Sequence, residues 1–286
     1  MKLPKNLPLA IAGVAFMFTS WSCSKKSNNN DTPNMPGNAV KLASNSTFGS
    51  IMTDEKGKTL YFFAIDANGK SGCSGGCLTV WPLFYQENLT LDNGLDQKDF
   101  GTITRDDGSK QNTYKGWPLY YYKDDAKAGD VKGDKVEDTW FVAKPDYTVM
   151  VANAQLLGVD NVKYNHLFQP GTELTQYITD DHGQTLYSFS KDKAKTNTFT
   201  VANLSNNTVW PIDTVKTIQN VPSILDKSQF EVITVFGKQQ LTYKGWPLYY
   251  FGQDMGVRGS NKGIAFPKPG GIWQYANAAS VAAPAN

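Results

Sequence analysis

Two histidines, three cysteines and a formal net charge of only +2 are what this 286-residue chain has least of. His166 and His182 leave little room for a histidine-rich metal site or a relay of several imidazoles. Both fall in loop-like sequence, where a solvated side chain is the default. The chain lacks the basic excess of a nucleic-acid binder. It has no nucleophile elbow, no phosphate-binding glycine loop and no His-Glu-x-x-His. No Cys-x-x-Cys-His occurs, so covalent haem is not indicated. No catalytic constellation and no metal or other non-lipid cofactor is therefore expected.

Long hydrophobic runs are missing too. The apolar run Leu9 to Phe18 is shorter than the roughly 20 residues of a membrane-spanning helix. With Lys2 and Lys5 before it, residues 1–22 read as a secretory signal. Ser20-Trp21-Ser22-Cys23 then resembles the lipobox of bacterial lipoproteins, in which the cysteine becomes the lipidated first residue. It departs from that pattern at Ser20, where leucine is usual, and at the bulky Trp21. An Asn-rich tether follows, over 23–40. Lys2 and Lys5 account for the whole charge excess, because residues 1–22 contain no acid. A covalent lipid on Cys23 would hold the chain on a membrane of the bacterial envelope, facing the periplasm or the exterior.

Aromatic residues are what the chain has in excess, at 13%. That excludes disorder throughout and favours half-buried strands. Their arrangement is repetitive. Thr113-Tyr114-Lys115-Gly116-Trp117-Pro118-Leu119-Tyr120-Tyr121 recurs unchanged from Thr242 to Tyr250. Gly57-Lys58-Thr59-Leu60-Tyr61 is matched by Gly183-Gln184-Thr185-Leu186-Tyr187, and Val80-Trp81-Pro82 by Val209-Trp210-Pro211. Each half divides again, because Leu-Tyr-x4-Asp occurs four times: Tyr61/Asp66, Tyr120/Asp125, Tyr187/Asp192 and Tyr249/Asp254. A tryptophan follows each tyrosine by 20, 20, 23 and 24 residues: Trp81, Trp140, Trp210 and Trp273. The unit is therefore roughly 60 residues, used four times.

Strand–turn–strand sequence recurs, as in Ile51-Met52-Thr53, Asp54 to Gly57, and Thr59 to Phe63. Leu60 and Phe62 share one strand face, Tyr61 and Phe63 the other, so both faces should be covered. Short helices are conceivable near Leu95 to Phe100 and near Ile224 to Phe230. The expected fold is all-β: tandem duplicated antiparallel domains over 41–153 and 170–277, each of two hairpin units. A connector spans 154–169 and a disordered tail 278–286. The alternative is a single four-bladed β-propeller.

These motifs resemble a family of secreted-repeat bacterial lipoproteins with a Tyr-x4-Asp motif. The first unit has the fullest form, from Leu60 to Asp66, through Cys73 and Cys77, to Val80-Trp81-Pro82. The third unit keeps Tyr187, Asp192 and Trp210 but has no cysteine. The resemblance implies an anchored repeat protein and supplies no chemistry, since that family is of unknown function.

Within a strand, Tyr61 and Asp66 face opposite sides and need not act together. The first reading of each Asp is a strand-end turn. Asp66-x-Asn68-Gly69-x-Ser71 has some character of a calcium loop but lacks its downstream glutamate. Trp-Pro should open or close a strand at a sheet edge. Trp81, Trp117, Trp140, Trp210, Trp246 and Trp273 either pack or form an aromatic platform for a ligand such as a sugar. Cys73 and Cys77 read as a structural disulfide outside the cytoplasm, or as a thiol or Cu(I) pair. The functional expectation is a non-enzymatic envelope lipoprotein with a binding or scaffolding role toward an envelope protein or glycan whose identity the sequence does not give, with thiol or copper redox work through Cys73 and Cys77 or surface glycan binding as alternatives.

Overall fold

The computed structural model describes residues 39–286. The expected signal peptide, Cys23 and the tether as far as residue 38 lie outside the described residues. Strands dominate, helices are few and short, and the all-β expectation holds. The first half opens with the hairpin Ala39–Asn45/Gly49–Asp54. Asp54 then caps a turn, its Oδ1 accepting from Lys56 N–H (2.9 Å) and Lys58 N–H (2.8 Å). That turn delivers the chain into Tyr61–Phe63, buried on both faces as the aromatic pattern requires. Leu60 and Phe62 enter one cluster, Tyr61 and Phe63 another.

Tyr61–Phe63 pairs on one side with Trp140–Val142. On the other side Tyr61 and Tyr120 exchange backbone hydrogen bonds of 2.9 and 3.1 Å. Tyr120 in turn bridges to Leu83, two residues beyond Trp81. The hairpin Phe100–Thr104/Lys110–Tyr114 leads through a tight turn into Trp117–Pro118. The second half repeats this as one five-stranded sheet, ordered Phe230–Val235, Lys238–Tyr243, Trp246–Tyr249, Tyr187–Phe189, Trp273–Tyr275. There Tyr187 lies opposite Tyr249. Each half is thus two units arranged about a local two-fold relation at a Tyr–Tyr pair. Trp-Pro opens a strand at Trp117 and at Trp246 but not at Trp81 or Trp210; Trp117–Pro118 lies at the edge of its sheet as expected, whereas Trp246–Tyr249 is internal.

The sheets are small and mostly antiparallel, and none closes on itself. A four-bladed propeller does not form, because the units complete one another in pairs and no unit folds a blade of its own. The expected helices are single 3₁₀ turns, Gln97–Asp99 and Lys227–Gln229. Asp96 and Asp226 cap them by accepting from Lys98 N–H and Ser228 N–H. Only three residues follow each cap before extended backbone resumes, too few to propagate a helix. A four-residue α-helix, Cys77–Val80, was not expected.

The expected division at 153 falls inside a strand. Val149–Leu157 pairs from Val149 to Gln155 with Leu174–Asp180. The expected connector is therefore partly strand, and Lys163–Tyr164 pairs back onto Leu156 and Leu157. The described residues fall in one compact unit. A buried cluster mixes the halves: Phe141, Val149 and Val151 pack with Ile178, Leu225 and Leu248. Residues 278–286, expected to be disordered, are held by backbone bonds from Ala194 N–H to Pro284 O and from Ala283 N–H to Lys244 O.

With one core through both halves, the chain should unfold in a single transition. Phe141→Ala should cost about 3–5 kcal/mol of that one transition. Denaturant unfolding followed by tryptophan fluorescence and by far-ultraviolet circular dichroism checks it. Two separated transitions, with only the first moved, would contradict a shared core.

Candidate functional site: crossed tyrosine–aspartate pairs

The motif tyrosines and aspartates do bond, but between units. The Tyr61 hydroxyl donates to Asp125 Oδ2 (2.6 Å) and the Tyr120 hydroxyl to Asp66 Oδ2 (2.6 Å). In the second half Tyr187 donates to Asp254 Oδ2, and Tyr249 to Asp192 Oδ2 (2.7 Å). Partners stand 54 to 67 residues apart in sequence, so the five-residue spacing within a motif never brings its own pair together. The strand at each Tyr–Tyr pair runs antiparallel to its twin. Each hydroxyl is carried past the axis to the other unit's aspartate.

Each aspartate's second oxygen binds the loop ahead of it. Oδ1 of Asp66 accepts from Gly72 N–H (2.7 Å), of Asp125 from Lys132 N–H (3.0 Å), of Asp192 from Thr198 N–H (2.6 Å) and of Asp254 from Lys262 N–H (2.9 Å). The strand-end turn expected at these residues is thus a longer clamp, closed six to eight residues downstream. Asp66 and Asp192 are wholly buried, and Asp125 and Asp254 nearly so. Both Asp66 oxygens, weighed above for calcium, are engaged by the chain itself.

Burial pushes the Asp66 carboxyl up to about 7, against the downward pull of the Tyr120 and Gly72 hydrogen bonds. Burial likewise raises Asp125 and Asp192. The four phenols are driven well above their ordinary range, by burial first and then by the partner carboxylate. Such phenols stay protonated and donate hydrogen bonds, so the arrangement holds units together and offers no phenolate base or nucleophile.

The tryptophans pack on the same axis. Trp81 and Trp140 stack with centroids 3.7 Å apart and planes 3° from parallel. Trp210 and Trp273 do so at 3.6 Å and 9°. Each motif tyrosine sets its edge against the tryptophan that follows it, at 5.1 to 5.4 Å. Trp81, Trp117, Trp140, Trp210 and Trp273 are buried, so five of the six present no face to a ligand. Trp246 alone is partly exposed. It borders a cavity of about 610 Å³ with Tyr275, Gln176, Gln274 and the 277–281 segment.

Cys73 and Cys77 form a disulfide. Arg105, which the motifs did not single out, clamps its loop: Nη2 donates to Cys73 O (2.5 Å) and Nη1 to Gln111 Oε1 (2.7 Å) and Ser71 Oγ. In the second half Asn197 Nδ2 reaches the matching Gln240 Oε1 (2.7 Å), with no disulfide. His166 sits exposed beside Glu173, and His182 beside Asp181. The Asp181 hydrogen bond raises the His182 pKa. Among the described residues no cluster of three or more His, Cys, Asp or Glu is arranged to hold a metal ion. No described helix is long and apolar enough to cross a membrane.

Three outcomes follow from this geometry. Tyr61→Phe strands a buried carboxylate oxygen and should cost about 1–3 kcal/mol in denaturant titration. Asp66 binds its proton more tightly folded (about 7) than unfolded (3.8), so its stabilising contribution is complete below pH 3.8 and is lost as pH rises through 7. Asp66→Asn should flatten the fall in unfolding free energy over that window, and parallel pH profiles for variant and wild type would refute the assignment. Replacing Cys73 and Cys77 by serine frees a very short loop, which should cost about 2 kcal/mol and leave unfolding cooperative.

Neither the curated proteins nor the solved structures contain a match to the chain. A family model described as "Secreted repeat of unknown function" (Lipoprotein_15) matches residues 43–84, 101–144 and 232–265. These matches fall on the first, second and fourth units. The third keeps the same Tyr187, Asp192 and Trp210 geometry outside them. The family model thus matches three segments of the chain, one in each of three of its four units.

Proposed function

We propose that the protein is a lipid-anchored, non-enzymatic scaffold of the bacterial envelope that works by binding another macromolecule. One observation carries this reading: all eight motif residues are buried and bonded to one another, so the repeat spends its chemistry on holding a rigid body. What the repeat offers outward is shape. The secreted character of the family agrees with an extracytoplasmic place. Cys23, behind an apolar segment and before the Asn-rich tether, supplies the anchor. A lipidated cysteine carrying two or more acyl chains gives stable membrane attachment.

Cys23→Ala should move the full-length protein from the membrane pellet to the soluble fraction, with loss of lipid mass from the processed N-terminus. Retention in the membrane together with a lipid-free Cys23 in the parent protein would sink the anchor.

A further inference from the structure

The nine residues that recur unchanged carry a turn, Lys115-Gly116-Trp117 in one half and Lys244-Gly245-Trp246 in the other. The backbones agree: φ is +48° at Lys115 and +49° at Lys244, and both glycines are also positive. In the first half this turn receives the second half. Lys115 Nζ meets Asp181 Oδ2 (2.6 Å) and Trp117 Nε1 donates to Asp181 O (3.0 Å). Lys115 O accepts from Arg258 Nη1 (2.6 Å), whose guanidinium lies 5.0 Å from the Trp117 ring centre.

In the second half the same three groups are engaged by residues 278–283. Lys244 Nζ donates to Ala278 O (2.7 Å) and Ser280 O (2.8 Å). Trp246 Nε1 donates to Val281 O (2.9 Å), and Lys244 O accepts from Ala283 N–H (2.9 Å). Segment 278–283 thus occupies the face on which, one half earlier, a neighbouring repeat docks. It does so with main-chain atoms, and most of it is exposed.

The element that docks in the first half is the turn Asp180 to Gly183. The chain holds a second copy of that turn, Asp54 to Gly57, and among the described residues both Lys-Gly-Trp faces are filled by other segments. Asp180 Oδ1 accepts from His182 and Gln184 N–H at 2.9 and 2.8 Å, as Asp54 does from Lys56 and Lys58. Tyr250 and Tyr121 donate to the other oxygen of Asp180 and Asp54 respectively. Glu55 stands where Asp181 stands, and it is solvent-exposed.

We propose that the Lys244–Trp246 face docks the Asp54–Gly57 turn of a second copy of this chain, and that residues 278–283 are a cap that holds the face shut. This deepens the scaffold reading and rests on it, naming the partner. The contact is head to tail, and such an interface extends into open chains unless the rotation closes. It is weaker than the internal one, because Ala128 replaces Arg258: Gly129 N–H bonds Gly57 O as Gly259 N–H bonds Gly183 O.

The test uses the full-length chain in the Cys23→Ala background, which keeps lipid out of the measurement. Ala279→Pro with Ala283→Pro removes the N–H groups that reach Asn277 Oδ1 and Lys244 O, and so loosens the cap. The expected result is a weight-average mass by sedimentation that rises above the monomer's with concentration, while the parent stays monomeric. Adding Glu55→Lys, which sets lysine against Lys244, should restore the monomer. A loosened chain that keeps native circular dichroism yet remains monomeric at the highest concentration overturns the proposal, as does association indifferent to Glu55→Lys. If the double variant does not fold, Ala283→Pro alone is read the same way. Failure here leaves the anchoring result on Cys23 untouched.

Discussion

The buried hydrogen bond between one unit's tyrosine and the next unit's aspartate is the constraint on which the rest of this architecture depends. A carboxylate taken out of water is tolerated only with its partners in place. Here one partner is a nearby backbone N–H and the other is a phenol supplied by a different unit. A unit alone could close its own loop but would bury an oxygen with no donor and a hydroxyl with no acceptor. Each such group costs about 1–3 kcal/mol. Two per unit is a large part of the stability of a small β-unit. The pair is therefore the smallest piece that satisfies itself, and the chain contains two pairs.

The frame tolerates different fillings because the Tyr–Asp–Trp set fixes the axis independently of the loops. Between Asp66 and Trp81 the chain spends a disulfide and Arg105 to hold its loop against Gln111. Between Asp192 and Trp210 it uses Asn197, whose Nδ2 donates to Gln240 and Thr200, and Thr198, whose hydroxyl donates to Asp192. The aspartate's Oδ1 takes a loop N–H in both cases. A covalent staple and an amide network serve the same position, so the cysteines can be absent from three of the four units.

Repetition, strands covered on both faces and turns capped by aspartate were all legible in the sequence, because each depends on residues close together. Leu60 and Phe62 against Tyr61 and Phe63 is a local alternation and needs no tertiary knowledge. The crossing was not legible. Tyr-x4-Asp looks like a local device, and nothing in its spacing names a partner 64 residues away. The available signal was the even number of motifs, each with one donor and one acceptor left over. The strand that runs through residue 153 was not legible for the opposite reason. Asp160 to Pro170 has a linker's composition, yet it is an excursion between two strands that pair. Pairing at that range leaves little mark on composition.

The recurring nine residues make a different point about what is fixed in a repeat. Leu119 and Leu248 fill the core and Tyr120 and Tyr249 meet aspartates, so their sameness follows from the frame. Lys115 and Lys244 do not belong to that core, and their partners share no sequence: an aspartate turn and an arginine on one side, an Ala- and Ser-rich segment on the other. What the two sides share is a set of atoms. An ammonium seeks oxygen, an indole N–H seeks a carbonyl and a carbonyl seeks a donor. Because lysine and glycine hold positive φ at the turn, those three groups face outward together, free of their own strand's ladder. A face so built selects its partner by spacing more than by side-chain identity, and so one turn can serve both as an internal joint and beneath a covering segment.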